Sequence, residues 1–235
     1  MATTTSPPRA TSARSTTIAL KIVMAVTGII FALFVLAHMY GNLKLLVGES
    51  SYNTYAEHLR TIGEPMLPHR GFLTLTEVVL VLAVVAHVYA ALTLWGRARA
   101  ARTHRYAMKK AVVQSLSSRW MRWGGVFLLL FIIWHLIEFT IVKVNVGGQG
   151  VPVDNAYQLV VDSFQVWWLT IIYLVAMLAL YLHLAHGVFS ASQTLGWTGT
   201  QTAYRRAQVS GHVVAAVVVV GFLIPPLSIL FGLVK

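Results

Sequence analysis

Five apolar runs, each near the length of a membrane crossing, constrain this 235-residue chain more than any other feature. About 20 apolar residues in a helix cross a hydrocarbon core about 30 Å thick. Lipid offers backbone polar groups no partner, so such runs must bond internally. The runs cover about residues 17–46, 72–95, 123–142, 166–189 and 213–234. They predict an all-α membrane protein, a bundle of five transmembrane helices within an anchor domain of residues 16–235. Hydrophobic residues make up 57% of the chain and charged residues 11%, against roughly 25% charged in soluble domains. Lys21 and Lys44, near the two ends of the first run, are placed to snorkel. Pro225-Pro226 is expected to break or kink the last run near its outer end. Residues 1–15 are rich in Thr, Ser and Pro and read as a disordered tail. The first run is too long for a secretory signal, and no small-residue cleavage site follows it.

The net charge of +11 would suggest nucleic acid in a soluble protein, but its placement argues against that partner. Residues 97–122 carry Arg97, Arg99, Arg102, Arg105, Lys109, Lys110, Arg119 and Arg122 with no acid. Arg9 and Arg14 precede the first run, and Arg205 and Arg206 precede the fifth. Positive loops stay inside, which places the N-terminus in the cytoplasm and the C-terminus outside. Glu49, Glu57, Glu64, Glu77, Glu138, Asp154 and Asp162 then all fall on the outer half. The basic side could also attract anionic membrane lipid or an inner partner. With no cysteine, the chain's own residues form no disulfide, thiolate zinc site or thiolate-held iron–sulfur cluster.

Nine histidines are present, and His38, His87, His135, His183 and His186 lie in or at the edge of the runs. Ionisable groups in a bilayer are costly and functional as a rule; a single one is also explained by a helix–helix hydrogen bond. Depth sorts them. At about 1.5 Å per residue, His38 and His135 fall in the outer half, and His87 and His183 in the inner half. Two facing imidazoles suit bis-histidine haem ligation, in which iron carries electrons, whereas zinc wants four ligands. His183 and His186 compete for the inner position, since they differ by about 60° in azimuth. Gly28, Gly41, Gly124, Gly125 and Gly187 could let a macrocycle approach, or serve ordinary helix packing.

Several segments then align with a known family. They are His38-Met39-Tyr40-Gly41-Asn42-Leu43, Tyr55, Ile62-Gly63-Glu64-Pro65, His87-Val88-Tyr89, Ser118-Arg119-Trp120-Met121-Arg122-Trp123-Gly124, Trp134-His135-Leu136, His183-Leu184-Ala185-His186-Gly187 and Ser192-Gln193-Thr194-Leu195-Gly196. In this order the chain from about residue 18 resembles the single-chain, five-helix membrane anchor of succinate dehydrogenase and fumarate reductase. This is the cytochrome b558 subunit, including actinobacterial members.

The resemblance implies a respiratory complex II subunit of a bacterial cytoplasmic (inner) membrane. Such subunits anchor a flavoprotein and an iron–sulfur protein on the cytoplasmic face. Electrons from the tricarboxylic acid cycle's succinate pass through the partners' FAD and iron–sulfur clusters to menaquinone or another quinone. The anchor itself holds no succinate site. The resemblance implies two haems b, with His38 and His135 as outer ligands and His87 with His183 as inner ligands. It selects His183, four residues before Gly187, over His186. Tyr181 stands two residues before His183, where some fumarate-reducing relatives have a carboxylate. A higher oligomer is compatible with the family.

A quinone site needs an apolar slot with polar groups for two carbonyls. Tyr106, Ser117, Ser118, Arg119, Gln193 and Trp197 offer such groups at the inner ends. Tyr55, Glu64, Glu77 or Glu138 could serve an outer site, although Glu138 reads more simply as an interfacial carboxylate. Trp95, Trp120, Trp123, Trp167 and Trp168 read as interfacial anchors, and His58, His69, His104 and His212 as solvated. Three other readings compete. One is a haem-poor anchor of the same enzyme, its histidines at a quinone or Rieske-like iron–sulfur site. Another is the anchor of a different quinol-linked oxidoreductase, such as nitrate reductase. The third is a proton-coupled transporter, which predicts inverted repeats that the five runs lack.

Overall fold

The computed structural model describes residues 16–101, 112–147 and 155–235, apart from the side chains of 112–119. The N-terminal tail, His104, Tyr106, four of the loop cations and Asp154 lie outside the described residues. Those described form helices α1 (Thr17–Leu43), α2 (Glu49–Thr61), α3 (Gly71–Ala100), α4 (Val112–Leu136), α5 (Ala156–Gln165), α6 (Trp167–Thr194) and α7 (Gln201–Leu230), with no strand among them. α1 tightens into a 3-10 turn over Lys44–Val47, and α4 widens into a π turn over Ile137–Ile141. Helices α1, α3, α4, α6 and α7 are long and apolar enough to span a membrane.

The spans extend beyond the apolar runs. α4 starts at Val112, inside the basic stretch read as a loop. α7 starts at Gln201, where the Thr200 hydroxyl accepts from the Ala203 amide at 3.1 Å. Hydropathy marks where lipid begins, whereas a helix begins where its amides are capped. The expected break at Pro225-Pro226 is absent, since α7 runs through both prolines to Leu230. Gly221, four residues before Pro225, has no side chain, and Met39 of α1 packs directly on it. Both prolines are buried against neighbouring helices, which is how membrane helices tolerate lost backbone bonds.

Two short helices, α2 and α5, were not expected. They cover the end of the bundle that carries Glu49, Glu57, Glu64 and Glu77. Asn155 caps α5 by accepting from the Gln158 amide at 3.1 Å. Its Oδ1 also accepts from Asn53 Nδ2 at 3.1 Å, and its Nδ2 donates to Glu49 at 2.6 Å. Leu45, Tyr157, Val160, Val161, Phe164, Leu169, Tyr173 and Ile229 form a buried cluster beneath them. The Tyr157 hydroxyl donates to the carbonyl of Lys235 at 3.1 Å, so the chain's last residue lies at this end. At the opposite end Arg97 of α3 donates to Thr17 of α1 at 3.2 Å. The first and last spans therefore start and finish at opposite ends.

Packing among the spans is uneven. α6 and α7 form the tightest pair, with Gly211 set against the Ala185 carbonyl and Ala215 and Val218 fully buried. Small residues allow such close approach where lipid supplies no hydrophobic drive. α1 packs on α6 and α7. Among the described residues, α3 packs mainly on α1 and α2, with at most fringe contact with the other spans, and α4 packs mainly on α6. Between α3 and α4 the recorded ring contact is Trp95 against Trp123, centroids 6.3 Å apart, at the Arg97 end.

Candidate functional site

Four spans each direct one histidine into the bundle, and the rings meet in two pairs. His38 of α1 faces His135 of α4 with centroids 5.8 Å apart and planes at 78°. His87 of α3 faces His183 of α6 at 6.3 Å and 54°. The two pairs lie at different depths, as the helix directions require. His186 lies on an exposed part of α6, and the ring facing His87 belongs to His183.

Hydrogen bonding settles which nitrogen is open on one ring of each pair. Thr27 donates its hydroxyl proton to the Val23 carbonyl at 2.7 Å. It can therefore only accept from His87 Nδ1, at 2.9 Å. His87 then carries its proton on Nδ1 and keeps the Nε2 lone pair. Tyr173 repeats the device, since its hydroxyl donates to Glu138 Oε2 at 2.7 Å and lies 3.2 Å from His135 Nδ1. His135 must be the donor there, which leaves its Nε2 open. A second partner that fixes the tautomer is the usual setting of a metal-binding imidazole. His183 Nδ1 is buried with no hydrogen-bond partner, an uncompensated polar atom in the apolar interior. Asn42 donates firmly to the His38 carbonyl at 2.9 Å, and its amide reaches His38 Nε2 only at 3.4 Å.

The surroundings of the pairs differ. The outer pair is ringed by Phe34, Phe131, Phe139, Tyr173 and Phe222, each within 6.1 Å of a histidine centroid. The inner pair is flanked by glycine: a Cβ on Gly28 would stand 3.8 Å from His87, and one on Gly125 would stand 3.5 Å from His183. Gly124 and Gly187 face open space. Gly41 does not serve a macrocycle; the Tyr55 ring lies where its Cβ would be, at 2.6 Å. Among the described residues no three His, Cys, Asp or Glu side chains gather into one metal-holding group. Each pair thus offers two ligands, which suits an ion that brings its other ligands with it.

Glu138 requires a correction. It is not an interfacial carboxylate but is wholly buried, inside the π turn that follows His135. The other outer quinone candidates have separate partners. Tyr55 packs on Gly41 and Tyr40, Glu64 meets His69 at 3.2 Å, and Glu77 meets Arg70 at 3.4 Å. Of the inner quinone candidates, Gln193 and Trp197 are exposed where α6 ends in a left-handed Gly196, φ 80°. Tyr106 and the side chains of Ser117, Ser118 and Arg119 lie outside the described residues. His212 was expected to be solvated. It lies within α7 and bonds the Tyr181 hydroxyl through Nδ1 at 3.1 Å.

Sequence reasoning missed Thr27 and Tyr173. Both carried a signal, because a hydroxyl within an apolar run, away from the interfacial belt, needs a partner. Trp120, Trp123, Trp167 and Trp168 are exposed near the span ends, as interfacial anchors should be.

Fold and site together define a multi-pass helical membrane protein built around two imidazole pairs stacked along its length. The chain belongs to the succinate dehydrogenase/fumarate reductase transmembrane subunit family, whose model matches residues 96–224, just over half of the chain. That stretch includes His135 and His183 and leaves His38 and His87 outside. No curated protein and no solved structure matches the chain.

Proposed function

We propose that this chain is the haem-bearing anchor of a succinate:quinone oxidoreductase, conducting electrons between a cytoplasmic iron–sulfur subunit and membrane quinone. The observation that carries the reading is the meeting of four histidines from four spans in two facing pairs. Ring centroids 5.8 and 6.3 Å apart would leave room for one metal ion between the rings of each pair. The glycines beside the inner rings and the sparse packing between the described residues of α3 and α4 also favour a large flat group. Haem b would be held by His38 with His135 and by His87 with His183, and would supply reversible one-electron exchange.

The chain's own residues keep that chemistry in place. Thr27 and Tyr173 hold the Nδ1 protons of His87 and His135, which leaves the Nε2 lone pair of each available to a metal ion. The phenylalanine ring around the outer pair excludes water. The basic ends of α3, α4 and α7, with Arg97, Arg99, Arg122, Arg205 and Arg206, form the cytoplasmic side by the positive-inside rule. There the flavoprotein and iron–sulfur partners would dock. Quinone would bind nearby, where Gln193 and Trp197 are exposed and Tyr106, Ser117, Ser118 and Arg119 lie close in sequence to the end of α3 or within α4.

The test is a reduced-minus-oxidised spectrum of the purified complex, with extracted haem counted per chain. Two haems b per chain are expected. A haem-free complex that still reduces quinone with succinate would assign the histidines to another role.

A further inference from the structure

We propose that Glu138, acting through Tyr173, is a positioning residue for His135: it fixes which ring nitrogen is open and adds electron density to it, lowering the potential of the outer haem. This rests on the haem-anchor reading. Glu138 lies within a span, wholly buried, and takes part in none of the ion pairs among the described residues. Acids buried within a span are costly and mark function. It also lies in a π turn, a rare local widening frequent at functional sites.

Three donor side chains gather at its carboxyl group. The Tyr173 hydroxyl donates to Oε2 at 2.7 Å, and the side chains of Trp134 and Ser163 lie beside the same carboxylate. Oε1, Trp134 Nε1 and Ser163 Oγ are buried and otherwise unbonded, so two further donors stand next to a free acceptor. Through Tyr173 this carboxyl group is linked to His135 Nδ1, 3.2 Å from the hydroxyl. A carboxylate behind a ligating imidazole raises its basicity, which favours ferric over ferrous iron.

The inner pair lacks this device. His87 Nδ1 leans on Thr27, whose proton ends on a neutral backbone carbonyl, and His183 Nδ1 has no partner. The recorded partners of the two pairs thus differ by one buried carboxyl group.

The test is redox titration of the assembled complex, followed by absorption and by electron paramagnetic resonance of the ferric haems. Glu138→Gln keeps an acceptor for Tyr173 and removes the charge. The expected result is a rise in the outer midpoint, with the ferrous-to-ferric ratio at fixed potential increasing at least tenfold, or 59 mV for one electron. The outer ferric signal should move with it, and the inner centre should stay put. Tyr173→Phe breaks the chain at its middle and should shift the outer centre in the same direction; it decides the matter if Glu138→Gln does not assemble. An outer midpoint unchanged in the variant that assembles, or equal movement of both centres, overturns the proposal. A wild-type complex lacking haem b would instead refute the anchor reading itself.

Discussion

His87 Nδ1 and Thr27 Oγ1 meet at 2.9 Å, and the threonine can only accept there because its single proton goes to the Val23 carbonyl at 2.7 Å. A hydroxyl on α1 therefore decides the tautomer of an imidazole on α3. Removing it should weaken the inner site without touching the outer one. Loss of such an outer-shell partner costs about 10–100-fold in metal affinity. Thr27→Val should lower the inner haem content, and Thr27→Ser should restore it. His87→Ala and His183→Ala should each remove one haem and leave the other, as counted by extraction and by spectral titration. Loss of both haems from well-folded protein would disprove the pairing.

Gly125 and Gly124 are neighbours with opposite surroundings. A Cβ on Gly125 would come within 3.5 Å of the His183 ring, whereas one on Gly124 would meet nothing within 4 Å. Gly125→Val should displace His183 and cut inner haem content severalfold at normal membrane levels of the chain. Gly124→Ala should leave haem content unchanged. Equal effects of the two substitutions would show that His183 is not the group being crowded.

Because the chain has no cysteine, its orientation is directly testable by single-cysteine labelling. A thiol from Glu57→Cys on α2 should react with an impermeant reagent added to the outside of intact cells. One from Gln201→Cys, at the start of α7, should react only after the membrane is opened. The reverse pattern would invert the orientation and move partner docking to the other face.

Tyr52 on α2 gives a pH dependence outside the membrane spans. Burial, with a smaller contribution from neighbouring Tyr55, pushes its hydroxyl from 10.0 to about 12. Between pH 10 and 12 the unfolded chain binds fewer protons here than the folded one, so stability falls as pH rises. Below pH 10 the contribution is fully present. Two pH units correspond to at most about 3 kcal/mol. Thermal unfolding of the purified complex over this range should lose that part of its slope in Tyr52→Phe. An unchanged slope would mean that Tyr52 ionises as freely as in water.

Spans and histidines were legible because their signals are local. Five apolar runs give five crossings, and helix direction with residue count gives the depth of His38, His87, His135 and His183. α2 and α5 were not legible, because they are short, amphipathic helices on the membrane-embedded bundle. Asn53 and Asn155, which join them, are about 100 residues apart in sequence and 3.1 Å apart in space. Glu138 was placed on the right side of α4 but given the wrong environment. Its burial depends on Tyr173, 35 residues away, and on a π turn that no residue spacing announces. Pro225-Pro226 failed as a break signal because propensity describes an isolated helix, and Met39 packed on Gly221 belongs to another one.

α3 has a consequence for biogenesis. A span packed on α1 and α2 but only at the fringe on α4 and α6 gains from whatever joins its other flank to the bundle. His87 and His183 face each other across that flank with centroids 6.3 Å apart. Once a rigid group bridges them, the same span is bolted to α6. Loading of the inner site would then tie down a span that packing alone joins to α1 and α2.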